Sequence, residues 1–264
     1  MRRATPLAIA RLPRVPRLPR LPRVPRLPRI ARVLILTLTA AQTQAAPAVA
    51  PPRIFDAHYA APTTRYDHGV LGDAVEWGAL VLRLADATTR RFTLPRNLVF
   101  EDTAPRLTDL DGDGAPEVVV VESSLEFGAR LAVYGPSGRL AATPHIGQPH
   151  RWLAPVGAAD LDGDGQVELA AIDRPHLARI LRLWHYRDGT LIPVAEAPGF
   201  TNHRIGWDLI AGGVRQCGAR AELILASGDW RQVLAVRLVA GQIERRVLGP
   251  YRGPDSLRAA LGCP

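Results

Sequence analysis

The sequence of 264 residues contains none of the short motifs that mark common catalytic sites. It has no G-x-S-x-G nucleophile elbow, no H-E-x-x-H zinc motif and no glycine-rich phosphate loop. These absences favour a protein without catalytic activity and leave open an enzyme whose site carries no such motif. Helical periodicity is also missing, apart from a short stretch at 256–261. The chain is therefore predicted to be all-β.

Lysine is absent from the whole chain, and acidic residues are absent from residues 1–45. The formal net charge of +8 depends on that first segment, which holds 10 arginines. The remainder has 33 − 10 = 23 basic residues against 25 acidic ones, a net charge of −2. A nucleic-acid partner would need a basic face on the folded part. The charge distribution shows none, so we expect no nucleic-acid partner.

The first 45 residues have the composition of a targeting segment. Residues 11–28 repeat Arg-Leu-Pro or Arg-Val-Pro six times, and proline at every third place excludes helices and strand ladders and predicts disorder. An apolar run at 33–41 and a small-residue exit ending at Ala45 follow. We interpret residues 1–45 as a secretory signal with an Arg/Pro-rich low-complexity n-region. A disordered basic tail on a cytosolic protein is the alternative.

Several expectations follow from this interpretation. The apolar run is too short to span a bilayer, so we expect no membrane span in the mature chain. The protein is predicted to be exported, either to the periplasm or out of the cell. Residues 46–57 are predicted to form a linker, and residues 58–264 the folded domain. The two cysteines, Cys217 and Cys263, are expected to form a disulfide, as in other exported chains.

A period of about 50 residues runs through the folded part. The stretch Asp-Leu-Asp-Gly-Asp-Gly at 109–114 returns at 160–165, and Glu-Trp-Gly-Ala at 76–79 returns as Glu-Phe-Gly-Ala at 126–129. Four repeats result, at about 58–108, 109–159, 160–212 and 213–264. Each reads as four short strands separated by turn residues. Such repeats predict a small β-propeller of four four-stranded blades, or five if residues 46–62 contribute to a further sheet.

The two aspartate-rich loops have the residue types of calcium-binding loops. Calcium prefers six to eight oxygen ligands, and each loop offers three aspartates at alternate positions, followed by a glutamate. The EF-hand is excluded, because its glutamate at position twelve is replaced by Val120 and Ala171, and because strands follow both loops. Each loop is expected to join the last strand of one repeat to the first strand of the next.

At residues 108–120 and 157–170 the chain resembles the FG-GAP/VCBS-type repeats of integrin α-subunit heads and of many secreted bacterial proteins. The resemblance implies a β-propeller with two Ca²⁺ sites, in which side chains and one backbone carbonyl per loop bind the metal. The implied ligands of the first site are Asp109, Asp111, Asp113, the carbonyl of Ala115, and Glu117. Those of the second site are Asp160, Asp162, Asp164, the carbonyl of Gln166, and Glu168.

The last repeat departs from this pattern. Alignment of Glu222 with Glu168 puts Gly213, Arg215 and Cys217 near the aspartate positions. No acid remains there, so we expect no calcium in this repeat. The predicted disulfide would take the place of the metal.

Two His-Arg pairs also recur, His150-Arg151 and His203-Arg204. Such pairs could meet at the propeller axis and bind an anion, because guanidinium groups suit carboxylate and phosphate. We favour the simpler interpretation that repeats duplicate structural residues. The sequence thus predicts a monomeric, calcium-stabilised binding module for an unidentified protein or glycan. An exported enzyme acting on polysaccharide at the propeller axis, or a purely structural envelope protein, remains the alternative.

Overall fold

The computed structural model describes residues 52–263, which form three antiparallel sheets and one helix. The predicted signal segment at 1–45 lies outside the described residues. In the described part, no helix is long and apolar enough to cross a membrane. The prediction of an all-β chain is confirmed, and the arrangement is consistent with a β-propeller-like fold. The number of blades stays a prediction.

The largest sheet has eight strands in the order β1-β2-β4-β6-β7-β8, with β3 paired to β2 and β5 paired to β6. Its strands are β1 (Ile54–Thr63), β2 (Glu76–Leu84), β3 (Thr89–Thr93), β4 (Leu98–Phe100), β5 (Arg106–Thr108), β6 (Glu117–Ser124), β7 (Gly128–Gly135) and β8 (Gly138–Ala142). Strand β1 begins inside the predicted linker at 46–57, so the folded part starts earlier than expected.

The other two sheets are smaller. The four-stranded sheet has the order β12-β11-β10-β9, and contains β9 (Leu153–Ala159), β10 (Glu168–Asp173), β11 (Ile180–Arg187) and β12 (Thr190–Pro198). The five-stranded sheet has the order β13-β15-β16-β17, with β14 paired to β15. It contains β13 (Phe200–Thr201), β14 (Gly213–Gln216), β15 (Ala221–Ser227), β16 (Gln232–Val239) and β17 (Gln242–Pro250). Helix α1 (Pro254–Leu261) follows.

One strand arrangement occurs three times, as β5–β8, β9–β12 and β14–β17. In each copy a first strand, a loop, a central strand and a hairpin form an antiparallel meander. Every residue of the central strands β6, β10 and β15 is buried. Their continuous apolar runs, such as Val118 to Val121, match strands that are covered on both faces.

Strand pairing corrects the expected position of the acidic loops. The predicted second repeat, 109–159, separates residues 153–159 from the strand that follows the second acidic loop. Instead, β9 pairs with β10, from Leu153 opposite Asp173 to Ala159 opposite Glu168. Each acidic loop therefore connects two hydrogen-bonded strands of one sheet and does not bridge two repeats. Sequence periodicity gives the repeat length and leaves the starting point undefined.

The first strand of the meander is interrupted in two copies. Strands β4 and β5 pair with opposite ends of β6, and β13 and β14 pair with opposite ends of β15. In the middle copy, β9 is continuous with one register shift near Ala170. The chain therefore leaves the sheet at corresponding places, and the excursions at 101–105 and 202–212 carry polar residues to one end of the sheets.

The hydrophobic core links the three meanders. Its largest cluster includes Val133 of β7, Leu183 of β11 and Val236 of β16, each at most 1% exposed. A second cluster lies within β1–β8, and a third joins β15 and β16 to Leu257 of α1. Burial of these side chains is the dominant favourable contribution to folding.

The two cysteines form the predicted disulfide. Cys217, just after β14, is bonded to Cys263, just after α1, with a Cα–Cα distance of 5.4 Å. The bridge encloses β15, β16, β17 and α1 within a sequence separation of 46 residues. It ties the end of the described chain to the start of the last meander.

Some buried carboxylates in the sheets are balanced by arginines, whereas Glu76 is not. Glu122 receives hydrogen bonds from Arg130 and from the Tyr134 hydroxyl, and Asp173 receives one from Arg182 at 3.0 Å. Glu76 is 1% exposed, and its Oε2 has no hydrogen-bond partner among the described residues. Burial raises the pKa of Glu76 to about 9, and the charge of nearby Glu101 adds to this effect.

Loss of the disulfide should lower stability. In the chain-entropy description, a loop of this length contributes about 4 kcal/mol to the free energy of unfolding. We expect the Cys217→Ser and Cys263→Ser variants to lose stability by similar amounts, measured by urea unfolding. Thiol titration of the denatured, unreduced protein should find no free thiol, and two free thiols would contradict the bridge.

Glu76→Gln should change the pH dependence of stability. Because the pKa of Glu76 is higher in the folded than in the unfolded state, the folded state binds an extra proton between those values, and stability falls as pH rises through that range. Glutamine removes this dependence. We expect the melting temperature of Glu76→Gln, relative to wild type, to increase from about pH 5 to about pH 8. The exposed substitution Glu244→Gln is the control, and an equal pH profile for Glu76→Gln and wild type would contradict the assignment.

Candidate functional site

The two acidic loops have the same internal hydrogen bonds. In the first loop, the Asp109 carboxylate accepts from the amides of Gly112 and Gly114 at 2.8 and 2.9 Å. Both glycines have positive φ, 77° and 85°, a conformation that glycine adopts without strain. The corresponding bonds of the second loop run from Gly163 and Gly165 to Asp160, at 2.6 and 3.0 Å. The repeated sequence therefore forms the same turn twice.

Carboxylates converge inside each turn. Ligand atoms of Asp109, Asp111 and Glu117 lie within 4.8 Å of one another, and the same holds for Asp160, Asp162 and Glu168. The third aspartate of each loop is not part of its triad. Asp113 and Asp164 each accept a hydrogen bond from the amide two residues on, at Ala115 and Gln166. Asp164 also falls within 4.8 Å of Glu168 and His185.

The glutamate that ends each loop is buried and directed back into it. Glu117 is 8% exposed and Glu168 is 0% exposed. Glu117 Oε2 accepts from the amide of Leu110 at 2.9 Å, and Glu168 Oε2 accepts from that of Leu161 at 2.7 Å. Burial raises the pKa of both glutamates, and neighbouring aspartates raise it further. Each loop therefore concentrates negative charge around a partly desolvated carboxylate.

The third meander has the same buried glutamate with a different countercharge. Glu222 lies at the equivalent place of β15 and is bonded by Arg215 Nε at 2.9 Å and by Arg237 Nε at 2.8 Å. Burial acts to raise the pKa of Glu222, but the hydrogen bonds from Arg215 and the positive charges nearby outweigh it and lower the pKa. Here guanidinium groups neutralise the carboxylate.

The register confirms the alignment of Glu222 and corrects that of Arg215. Arg215 lies opposite Glu222 on β14, in the place of Ala159 opposite Glu168, so it precedes the loop and does not replace an aspartate. The loop itself is reduced to residues 217–220 and begins with the disulfide cysteine.

The residue opposite each glutamate on the strand that follows the central strand also differs between the meanders. His185 is opposite Glu168 and is hydrogen bonded to it. Continuing the strand register by one residue places Arg237 opposite Glu222 and Gly135 opposite Glu117. Glu117 has no ion pair with any described side chain. Of the three glutamates, Glu117 is thus the one without a positively charged partner among the described residues.

The two recurring His-Arg pairs lie apart. His150 and Arg151 line a cavity of about 250 Å³, which is formed by connections at the end of β10 opposite the acidic loop. His203 is fully buried behind this cavity, with its Nδ1 3.0 Å from His176 Nε2. Arg204 lies over the ring of Trp230, 4.7 Å from its centre. The pairs thus occupy different environments and do not form one symmetrical site.

Sequence reasoning missed other polar residues of this cavity. His176 lines it, and Glu101 lies beneath His68, which also lines it. Neither His176 nor Glu101 belongs to a repeated motif, and they come to the same region only because separate connections end at the same edge of the sheets. The sole sequence signal is the run of polar residues directly after short apolar strands.

Comparison with known proteins gives a family for the central part of the chain. Residues 109–171 match the FG-GAP-like repeat family. The matched segment begins at Asp109 and ends at Ala171 in β10, so it contains both acidic loops. No curated protein gives a significant match. Residues 109–171, with one acidic loop at each end, are therefore an FG-GAP-like repeat segment.

Proposed function

We propose that this protein is an exported, calcium-binding β-propeller that acts as a binding module. The observation that carries the calcium assignment is the comparison of the three buried glutamates. Glu222 has arginine partners and no acidic loop, whereas Glu117 has an acidic loop and no described ion pair. A bound cation would supply the positive charge that arginines supply in the third meander.

The donor set fits calcium. Each loop offers several carboxylates and backbone carbonyls, the hard oxygen ligands that calcium takes. Asp109, Asp111 and Glu117 would hold the ion in the first loop, and Asp160, Asp162 and Glu168 in the second, with Asp113, Asp164 and the carbonyls of Ala115 and Gln166 completing the two sets. The ion would join the ends of adjacent strands and stabilise the sheet.

Export and a binding role have separate support. A disulfide fits an oxidising compartment, and the FG-GAP-type repeats resemble those of extracellular proteins. The two acidic loops have a structural position, between adjacent strands, and the cavity with His150 and Arg151 lies at the other end of β10. A scaffold held by metal at one end therefore leaves the opposite end free to contact a protein or glycan.

Removal of calcium should lower the melting temperature. Binding to the folded state alone adds about 2.7 kcal/mol per site when free calcium is a hundredfold above the dissociation constant. We expect EGTA to lower the melting temperature by several degrees, and calcium but not the same concentration of magnesium to restore it. Equal melting in calcium and in EGTA would refute the metal sites.

The two sites should be separable. Asp111→Asn and Asp162→Asn should each remove one calcium from the stoichiometry measured by isothermal titration calorimetry, and the double variant should remove both. Glu244→Gln, an exposed change outside the loops, is the control and should retain both. Full stoichiometry in the double variant would contradict the assigned ligands.

An exported enzyme acting on polysaccharide is the second candidate, and one contact favours it. His68 Nδ1 lies 2.5 Å from Oε1 of the fully buried Glu101, and His68 also lines the cavity. A carboxylate that orients a histidine in this way is a common arrangement for general-base chemistry. If the protein is an enzyme, it should release reducing ends from acidic polysaccharides, and His68→Ala should abolish that release. Absence of turnover over a panel of such polymers would remove this candidate.

A further inference from the structure

The cavity at the end of β10 is built from four separate connections of the chain. His68 comes from the connection between β1 and β2, His150 and Arg151 precede β9, and His176 follows β10. Ile205, from the excursion before β14, contributes to its edge. A volume of about 250 Å³ is smaller than pockets for drug-sized ligands and suits one group of monosaccharide size.

Two of the cavity histidines are oriented by carboxylates. His68 donates from Nδ1 to Glu101, which leaves Nε2 for another partner. His150 Nε2 is 2.8 Å from Asp67 Oδ1, which leaves Nδ1. Tyr66 fixes the same segment, because its hydroxyl accepts from the His150 amide at 3.0 Å. Each ring therefore has one nitrogen committed and one available.

The third cavity histidine is His176, and its contact with His203 decides which of its ring nitrogens can accept a hydrogen bond. His203 Nε2 lies 3.0 Å from the carbonyl of Trp207, so that nitrogen must carry the hydrogen. Burial lowers the pKa of His203, and it lowers that of His176 to about 4, with the charge of His203 adding to the effect. In the neutral pair, His203 Nδ1 accepts from His176 Nε2. His176 Nδ1 is therefore left as an acceptor, which requires a hydrogen-bond donor such as a hydroxyl group.

Arg151 supplies a positive charge without a carboxylate partner. Its NH1 donates to the carbonyl of His150 at 3.0 Å, and it forms no ion pair with a described acid. Arg174, which also lines the cavity, is already held by both oxygens of Asp173. An anionic group of a ligand would thus be drawn to Arg151, whose planar donors fit a carboxylate.

The edge of the cavity is apolar. Leu177 is 65% exposed and Ile205 is 73% exposed, and both line the cavity. Exposed apolar side chains beside a polar recess are typical of ligand-binding surfaces. They would cover the C–H face of a sugar ring while its hydroxyl groups contact the histidines.

We propose that this cavity binds a uronic acid unit of an acidic glycan, with the carboxylate on Arg151 and hydroxyl groups on His176 and His68. The inference deepens the binding-module function and rests on it for the existence of a ligand. A transition metal is disfavoured, because the three cavity histidines are not among the groups whose ligand atoms converge within 4.8 Å. The unpaired guanidinium of Arg151 would also repel a cation.

The test is isothermal titration calorimetry of the purified full chain with trigalacturonate, galacturonate and glucose. Both acidic probes should bind and glucose should not. Arg151→Ala should weaken galacturonate binding about tenfold or more, since it removes a charge-assisted hydrogen bond to the carboxylate. His176→Ala should weaken it less, as expected for one neutral hydrogen bond.

Arg204→Ala is the matched control, because it changes the arginine of the other His-Arg pair, which stacks on Trp230 outside the cavity. It should leave galacturonate binding unchanged, and melting curves should show that all variants fold. Equal affinity for glucose, an unchanged Arg151→Ala variant, or zinc binding that depends on His68 and His176 would overturn the proposal.

The outcomes separate this proposal from the proposed function. If calcium raises the melting temperature and the protein captures a neutral glycan or a protein through a surface unaffected by Arg151→Ala, the uronate site alone fails. If calcium has no effect but galacturonate binds through Arg151, the metal sites fail and the uronate site stands.

Discussion

A buried glutamate at the start of the central strand is the constraint on which each meander depends. Glu117, Glu168 and Glu222 occupy equivalent positions beside the loop between the first two strands. A carboxylate in such a place is costly unless hydrogen bonds and a positive charge offset its desolvation. Backbone amides supply part of that balance for Glu117 and Glu168. The remaining countercharge differs from sheet to sheet, and this difference decides how each loop is built.

The three meanders differ in how many positively charged partners their buried glutamate has. Glu222 is held by arginines on both neighbouring strands, and its loop is short and contains no acid. Glu168 is paired with His185, and its loop keeps all three aspartates. Among the described residues Glu117 has neither an arginine nor a histidine partner, and its loop keeps all three aspartates. In the last meander, the covalent Cys217–Cys263 bridge also fixes the beginning of the shortened loop. Ion pairs and the disulfide hold this pair of strands in the last meander, and the proposed calcium ions would hold the corresponding strands in the other two.

The two ends of the sheets have different chemistry for a topological reason. One end carries the tight turns between the first and central strands, and two of these three turns share the same sequence pattern and geometry. The other end carries connections that differ in length, because the first strand is interrupted after β4 and β13 and continuous in β9. Loops that vary on a fixed scaffold are where binding residues concentrate. The cavity with Arg151 and the cavity histidines belongs to this variable end.

The sequence alone determined the all-β class, the two acidic loops and the pairing of the two cysteines, because these depend on local patterns or on a choice with one solution. Glycines at positive φ and aspartates at alternate positions specify a turn within nine residues, whatever surrounds it. Tertiary structure decided which strands share a sheet, because a repeat has the same period wherever it is taken to begin. It also decided that Arg215 faces Glu222 and that His176 and Arg151 line one cavity. Those contacts join residues far apart in the chain, and only the closing of the sheets against one another brings them together.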